Sequence, residues 1–291
     1  MTALHRSVTG SPQWRDVFAP IAASPDASWT FEPTVIALTL AAGWVYVRRF
    51  RAVRREQGTL ALPGWRAFCF LSGLACVLLA LVSPVDRLAD QVLTMHMAQH
   101  LLLLDLAPVL CLLGLTRVLL RPVTRRVQPV ERRAGPFGHP AFAAVLYVAT
   151  MWFWHVPALY DAALEHSPIH VLEHLCFAIA GGLYWWHLLG PIRARRRLTG
   201  LGPIGYMVGT KLAVGLLGIG LTFSPNALYA FYEQQPRYWG LDAGTDQAVA
   251  GLVMALEQSI VMGIVLAWLF IRLLGEADTR DLRAERYANS S

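Results

Sequence analysis

Seven apolar runs, each about long enough to cross a bilayer as a helix, dominate this sequence. They cover roughly residues 32–49, 65–84, 93–116, 140–158, 168–190, 203–223 and 246–274. Backbone polar groups in lipid must find partners within the chain, so each run is expected to be an α-helix. The chain is 55% hydrophobic and 15% charged, with a mean hydropathy of +0.44. The predicted fold class is therefore an all-α, polytopic membrane bundle of about seven helices.

Arginine residues are distributed unevenly between these runs. The loops after the first, third and fifth runs and the C-terminal tail are rich in them: RRFRAVRRE at 48–56, Arg117, Arg121, Arg125, Arg126, Arg132, Arg133, RARRR at 193–197, Arg280, Arg283 and Arg286. The alternate loops carry only Arg87 and Arg237. By the positive-inside rule, the N-terminus is expected outside and the C-terminus in the cytoplasm. The net charge of +6 thus indicates topology, and a nucleic-acid partner is not expected.

This reading divides the chain into three parts. Residues 1–31 form an N-terminal extracytoplasmic segment, residues 32–274 the transmembrane domain and residues 275–291 a cytoplasmic tail. No cleavable signal peptide is evident in the first 30 residues. The four cysteines all fall inside predicted spans and form no CxxC pair, so we expect small buried apolar residues and no disulfide framework.

Two histidine pairs have helical spacing. His96 and His100 open the third run, and His170 and His174 open the fifth. An i,i+4 spacing places both rings of a pair on one helix face. Polar side chains are costly in lipid, and imidazole is the commonest metal-binding side chain. The pairs therefore predict a metal site, and the alternative is interhelical hydrogen bonding.

Three further groups lie at a similar depth. His155 ends the fourth run, while Asp246 and Met254 lie in the first turns of the seventh. At a rise of 1.5 Å per residue, these groups and the histidine pairs fall within roughly the outer third of the bilayer. His155 also suits an interfacial histidine bonded to backbone, and Asp246 also suits a helix cap.

Three ionisable residues lie deeper in the predicted spans: Asp105, Lys211 and Glu257. An uncompensated charge there would cost several kcal/mol, so Lys211 is expected to pair with one of the two carboxylates. Such a pair would be a structural link between helices or part of a proton or ion relay. The aromatic loop at 224–245 is either a lid over the histidines or a docking surface.

The metal is not fixed by the donor types. Imidazole, thioether and carboxylate suit copper, while zinc with an open coordination position remains an alternative. The HExxH sequence of zinc proteases is absent. Haem held by two histidines would need single histidines on facing helices with an apolar slot between them. Clustered pairs fit a metal ion better than a porphyrin, and donor chemistry favours copper only slightly.

Three blocks carry a resemblance to a known family: HMAQHLLLLDLAPVLCLLG at 96–114, WFWHVPALYDAALEHSPIHVLEHLCFAIAGGLYWW at 152–186 and RYWGLDAGTDQAVAGLVM at 237–254. In their order and spacing, the chain resembles the multi-span assembly factors of caa3-type cytochrome c oxidase, the CtaG-like family. The resemblance extends from about residue 85 to 270. The chain departs from it after Met254, where ALEQSIVMG replaces an expected tryptophan-proline type of segment.

The resemblance implies a copper-binding protein of the inner (plasma) membrane that delivers copper ion to a haem-copper oxidase subunit. It is not expected to be an enzyme. The implied copper residues are His96, His100, His155, His170 and His174, with Asp246 and Met254 as weaker members. A copper transporter across the membrane is the second hypothesis, and a haem-binding electron carrier is the third.

Overall fold

The computed structural model describes residues 24–124, 135–192 and 198–288, with side chains as far as residue 271. The regular elements of these residues are helices. We number them α1 Pro33–Ala61, α2 Gly64–Leu81, α3 Pro84–Ala89, α4 Leu93–Gly114, α5 Pro140–Trp154, α6 Pro157–Glu165, α7 Ser167–Leu189, α8 Gly202–Thr222, α9 Ala230–Glu233 and α10 Ala243–Ala288. Residues 117–124 are also helical.

Each of the seven predicted apolar runs is helical over most of its length. Fewer than seven of the helices are long and apolar enough to be counted as membrane spans. Among the described residues, α2, α4, α8 and the part of α10 up to Ile271 are long and apolar enough to cross a membrane. The pair α5 and α6 makes a fifth span if its 75° bend is counted within one crossing. The helices α1 and α7 have 29 and 23 residues but carry more polar side chains. Several apolar helices fit a membrane protein, while the count of seven and the orientation of the termini stay predictions.

Much of the arginine pattern lies outside the described residues. This applies to Arg125, Arg126, Arg132, Arg133 and the RARRR run, and to residues 1–23 of the predicted N-terminal segment. The first arginine-rich run, in contrast, continues α1 as a helix as far as Ala61. Gly58 interrupts that helix with a φ of 84°, a conformation that glycine adopts without the steric penalty of a side chain.

Proline and histidine set the bend after α5. The ring of His155 follows the last residue of α5, and its Nδ1 lies 2.7 Å from the Met151 carbonyl oxygen. Pro157 then occupies the first position of α6, where its fixed φ suits a helix start and its missing N–H costs nothing. Pro168 is the second residue of α7, after Ser167, and is likewise compatible with a helix start. The chain therefore turns sharply at one end of the bundle and returns at once.

The helix α4 contains a π-helical turn at Leu102–Leu106. The Ala107 N–H donates to the Leu102 carbonyl, five residues back. Pro108 follows directly; it has no N–H for the Leu104 carbonyl and its ring would clash with that group in a regular helix. The helix therefore has a widened turn directly before Pro108. Gly181 of α7 packs against the Leu104 carbonyl oxygen, where a Cβ would overlap.

Several segments meet at one end of the bundle, which we call the loop end: residues 82–92, 155–166 and 223–242. The Tyr232 hydroxyl donates to the Ala89 carbonyl at 2.6 Å, which joins the first of these segments to the third. Asp161 accepts from the Ala230 and Phe231 N–H groups at 3.2 and 3.3 Å, which joins the second to the third. These contacts fix the long aromatic loop over the ends of α4 and α7.

Candidate metal centre

The two histidine pairs face each other across the contact of α4 and α7. Within each pair the ring centroids are 4.2 Å apart. Across the contact, the rings of His96 and His170 are 5.3 Å apart, and those of His100 and His174 are 5.6 Å apart. On each helix the i,i+4 spacing places both rings on one face. These two faces point toward each other in the interior of the bundle, so the four rings form one cluster.

Glu173 completes this cluster, and the sequence reasoning missed it. Its two carboxylate oxygens lie 4.0 Å from His96 Nε2 and 3.6 Å from His100 Nε2. One ligand atom each from His96, His170 and Glu173 lie within 4.8 Å of one another. The signal was present in the chain, since Glu173 sits three residues after His170 and a carboxylate inside an apolar run is costly. We call these five residues the histidine cluster.

Eight polar atoms of the histidine cluster make no hydrogen bond within the described part of the chain. They are the two carboxylate oxygens of Glu173, both ring nitrogens of His96 and His100, and the Nε2 atoms of His170 and His174. His96 and Glu173 are 0% exposed and His100 is 1% exposed. Buried polar atoms normally have partners, because leaving one unpaired costs roughly 1–3 kcal/mol. A bound cation would satisfy several of these atoms at once, and the donor set fits one.

Three tyrosines close the cluster toward the loop end. The Tyr160 ring lies 5.1 Å from the His96 ring, and the Tyr229 ring lies 4.1 Å from Tyr160. Tyr232 follows at 6.3 Å from Tyr160. All three are buried, so the loop that carries Tyr229 and Tyr232 covers the histidines. The two predicted roles of this loop, a lid and a docking surface, both stay predictions.

His155 lies beside the histidine cluster, one aromatic ring away from it. Its ring centroid is 5.9 Å from that of Tyr160. Its Nδ1 is engaged by the Met151 carbonyl, and its Nε2 lies 3.4 Å from the Met97 sulfur. Both ring nitrogens therefore have neighbours in α4 and α5, whereas the four clustered histidines have free nitrogens.

Asp246 and Met254 are placed differently from the cluster. The Asp246 carboxylate accepts from the Leu93 and Thr94 N–H groups at 2.7 and 3.0 Å, so it caps the N-terminus of α4. A carboxylate at a helix N-terminus accepts hydrogen bonds from free N–H groups and interacts favourably with the positive end of the helix dipole. Met254 is buried where α10 packs against Gly218 of α8. Among the described residues, neither side chain forms a hydrogen bond with the clustered histidines.

The predicted ion pair is confirmed, and Asp105 is the partner of Lys211. The ammonium lies 2.8 Å from the Asp105 carboxylate and 2.7 Å from the Tyr147 hydroxyl. Trp185 Nε1 and Gln258 Nε2 also donate to Asp105, at 2.7 and 3.1 Å. The carboxylate thus accepts from groups on α5, α7, α8 and α10, and it is carried by the π-helical turn of α4. This network is separate from the histidine cluster.

Comparison with known proteins places these features in a family. The model for the cytochrome c oxidase caa3 assembly factor matches residues 44–276, which include every residue of the histidine cluster. No solved structure matches the chain.

Curated relatives come from mycobacteria. An uncharacterized protein of Mycobacterium leprae (strain TN) is 24% identical over 90% of this chain and 42% of its own length. Uncharacterized proteins of Mycobacterium bovis (strain ATCC BAA-935 / AF2122/97) and Mycobacterium tuberculosis (strain CDC 1551 / Oshkosh) are each 27% identical over 82% of this chain and 38% of their own length. The chain therefore spans about two fifths of these relatives. Since the family model covers most of the chain, the protein belongs to the cytochrome c oxidase caa3 assembly factor family.

Proposed function

We propose that this protein binds copper at the histidine cluster and delivers it to a haem-copper oxidase subunit during assembly. The observation that carries the proposal is the set of eight unpaired polar atoms from α4 and α7 in one buried place. A resident hydrogen-bond network would have paired them, as the Asp105 network does. Membership of an oxidase assembly family supports copper as the cargo rather than zinc.

The donor types suit a cargo that must be held and then released. Four imidazoles and one carboxylate are borderline and hard ligands, which suit Cu(II), while imidazole also accepts Cu(I). Ligand atoms about 2.0–2.2 Å from one ion lie at most about 4.4 Å apart, so small ring rotations would close His96, His170 and Glu173 on a common ion. Transfer would then proceed by ligand exchange, in which the partner's ligands replace these side chains one at a time. Only coordination bonds to the ion are exchanged and no covalent bond is made or broken, so we propose a non-catalytic role.

We further propose that the protein lies in the inner membrane with the loop end on the extracytoplasmic side. The support is the arginine distribution, which assigns the opposite ends of the helices to the cytoplasm. The oxidase partner would accept copper at this side.

A transporter that carries copper across the bilayer is the second candidate. The observation in its favour is the polar network around Asp105, which follows the histidine cluster along α4. In that network, however, the Lys211 ammonium already occupies the carboxylate. A cation would have to displace it, whereas delivery from the loop end requires no such step. A haem carrier has less support, because Tyr160 and Phe177 pack against the histidine rings where a porphyrin would need room.

Metal analysis of the purified full chain tests the proposal. Wild type is loaded with copper, desalted and compared with His174→Gln and with His166→Gln as a matched control. His166 is exposed and its Nδ1 lies 3.2 Å from the Ala162 carbonyl, outside the cluster. We expect copper in wild type and in the control, and a large loss in His174→Gln. Absence of copper from wild type, or equal copper in all three, would refute copper binding at the cluster.

Delivery is tested in cells. A strain lacking the protein should lose caa3-type oxidase activity and regain it with added copper. If added copper restores nothing while the wild-type gene does, the cargo is not copper.

A further inference from the structure

The histidine cluster is closed on most sides, which limits how an ion can reach it. Toward the loop end it is covered by Tyr160, Tyr229 and Tyr232. On the side away from the loop end it is closed by Phe177 and the π-helical turn of α4. His96, His100 and Glu173 have essentially no exposed surface. His170 and His174 are the members with partial exposure. Any route to the cluster through the described residues therefore passes these two rings.

Both rings lie on the wall of a single large groove. The groove has a volume of about 1630 Å³ and runs along the bundle between α1, α2 and α4 on one side and α7 on the other. Its upper part is formed by residues 26–35 and 86–91 at the loop end. Lower down it is lined by apolar side chains of α4 and α7, Val171 among them. The Nε2 atoms of His170 and His174 are buried beneath this wall and have no hydrogen-bond partner among the described residues.

The mouth of the groove is strongly acidic. Five carboxylates line it, against one guanidinium: Asp26, Glu32, Asp86, Asp90, Glu165 and Arg87. Arg87 is 3.5 Å from Asp26, and Gln99 donates to Asp86 at 2.7 Å, so these two carboxylates are partly engaged. Glu165 is exposed and Asp90 is half-buried. The whole chain has a net charge of +6, so the negative charge at the mouth of the groove is opposite in sign to the net charge of the protein.

We propose that this groove is the entry route for the metal cation, with the acidic mouth as its collecting site and His170 and His174 as the first ligands met. The inference rests on the proposed function, because it assumes that the cluster takes up a cation. A cleft lined by one sign of charge with apolar walls focuses the field and raises the arrival rate of the opposite charge by about 10–1000-fold. The order of ligands follows from exposure: the α7 pair receives the ion, and the fully buried residues of α4 then complete its coordination.

Loading kinetics test the route. The full chain in phosphatidylcholine nanodiscs is mixed with Cu²⁺, quenched at intervals with excess EDTA, desalted and analysed for retained copper. Val171→Trp places a large side chain in the groove beside the receiving histidines. Leu172→Trp is the matched control, because Leu172 is equally exposed on α7 but does not line the groove. We expect Val171→Trp to slow loading about tenfold or more with an unchanged final copper content, and Leu172→Trp to load like wild type.

Charge is tested in the same assay. Asp90→Asn combined with Glu165→Gln should slow loading by about tenfold at low ionic strength, with little difference at high salt. Glu233→Gln, an exposed carboxylate outside the groove, should change nothing. If Val171→Trp loads at the wild-type rate, the groove is not the route, while copper binding stands. If wild type retains no copper, the proposed function itself fails and the route falls with it.

Discussion

The ion pair of Lys211 and Asp105 offers the sharpest test of how the helices are held together. Both side chains are almost fully buried, and the ammonium donates to the carboxylate and lies within reach of the Tyr147 hydroxyl. Lys211→Met keeps a similar length but leaves Asp105 without its counter-charge. Removing one partner of a buried pair costs about 3–5 kcal/mol of unfolding free energy. The three remaining hydrogen-bond donors to Asp105 reduce this cost, so we expect Lys211→Met to lower the free energy of unfolding by about 3 kcal/mol.

The double variant Lys211→Met with Asp105→Asn separates charge from packing. It removes both charges, and its side chains approximate the original volumes. Replacing both members of a buried pair is often close to neutral, so the double variant should be more stable than Lys211→Met alone. Tyr147→Phe, which removes one hydroxyl from the same network, should cost only about 1 kcal/mol.

Stability is measured by denaturant unfolding in detergent micelles, followed by intrinsic fluorescence, for wild type, Lys211→Met, Asp105→Asn, the double variant and Tyr147→Phe under one condition. Copper retention of the folded variants is measured alongside, because a purely structural pair leaves the histidine cluster able to bind. The reasoning is refuted if Lys211→Met unfolds within about 1 kcal/mol of wild type. It is equally refuted if the double variant loses the sum of the two single losses.

Three further predictions concern other contacts. Gly181→Ala should destabilise by about 1–3 kcal/mol, because its Cβ overlaps the Leu104 carbonyl, whereas Gly182→Ala, which meets no atom, should be neutral or stabilising in the same unfolding assay. Asp246→Ala should cost about 1–2 kcal/mol by removing the cap of α4, and unchanged copper retention would confirm that its role is not ligation. Burial and a neighbouring carboxylate raise the pKa of Asp90 from 3.8 to about 6. The folded state therefore holds this proton more tightly than the unfolded state, and the free energy of unfolding falls as the pH rises from about 4 through 6. After allowance for solvent screening, Asp90→Asn should raise the free energy of unfolding by about 1 kcal/mol at pH 8 and leave it unchanged at pH 4. Equal melting temperatures of this variant and wild type at pH 8 would contradict the pKa.

The sequence predicted the histidine cluster well because its signal is local. An i,i+4 spacing fixes the relative direction of two rings on any helix, whatever surrounds it. The two pairs met because apolar runs must be helices and polar groups in them turn away from lipid. The same argument applies to Glu173, which lies on the same face as His170, but a single glutamate has no paired spacing that marks it as part of a site.

Tertiary contacts explain what the sequence could not supply. A cap at the start of its own helix was foreseeable for Asp246, but its carboxylate caps α4, which lies about 150 residues earlier in the chain. The partner of Lys211 was open between two carboxylates at similar depth, and only the rotation of α4 selects Asp105. The count of seven spans stays a prediction, since α1 and α7 have the required length with a less apolar surface.

The widened turn of α4 decides which residues share a direction. In a regular helix each residue advances by about 100°, so Asp105, five residues after His100, would point about 140° away from it. One additional residue in the turn reduces that offset to about 40°. The histidines of α4 and Asp105 can therefore both point into the interior of the bundle. If residues 102–106 formed a regular α-helical turn instead, the residues after it would rotate by about 100°, and Asp105 would face away from His100. The protein therefore depends on this widened turn to keep the histidine cluster and the buried charge in phase.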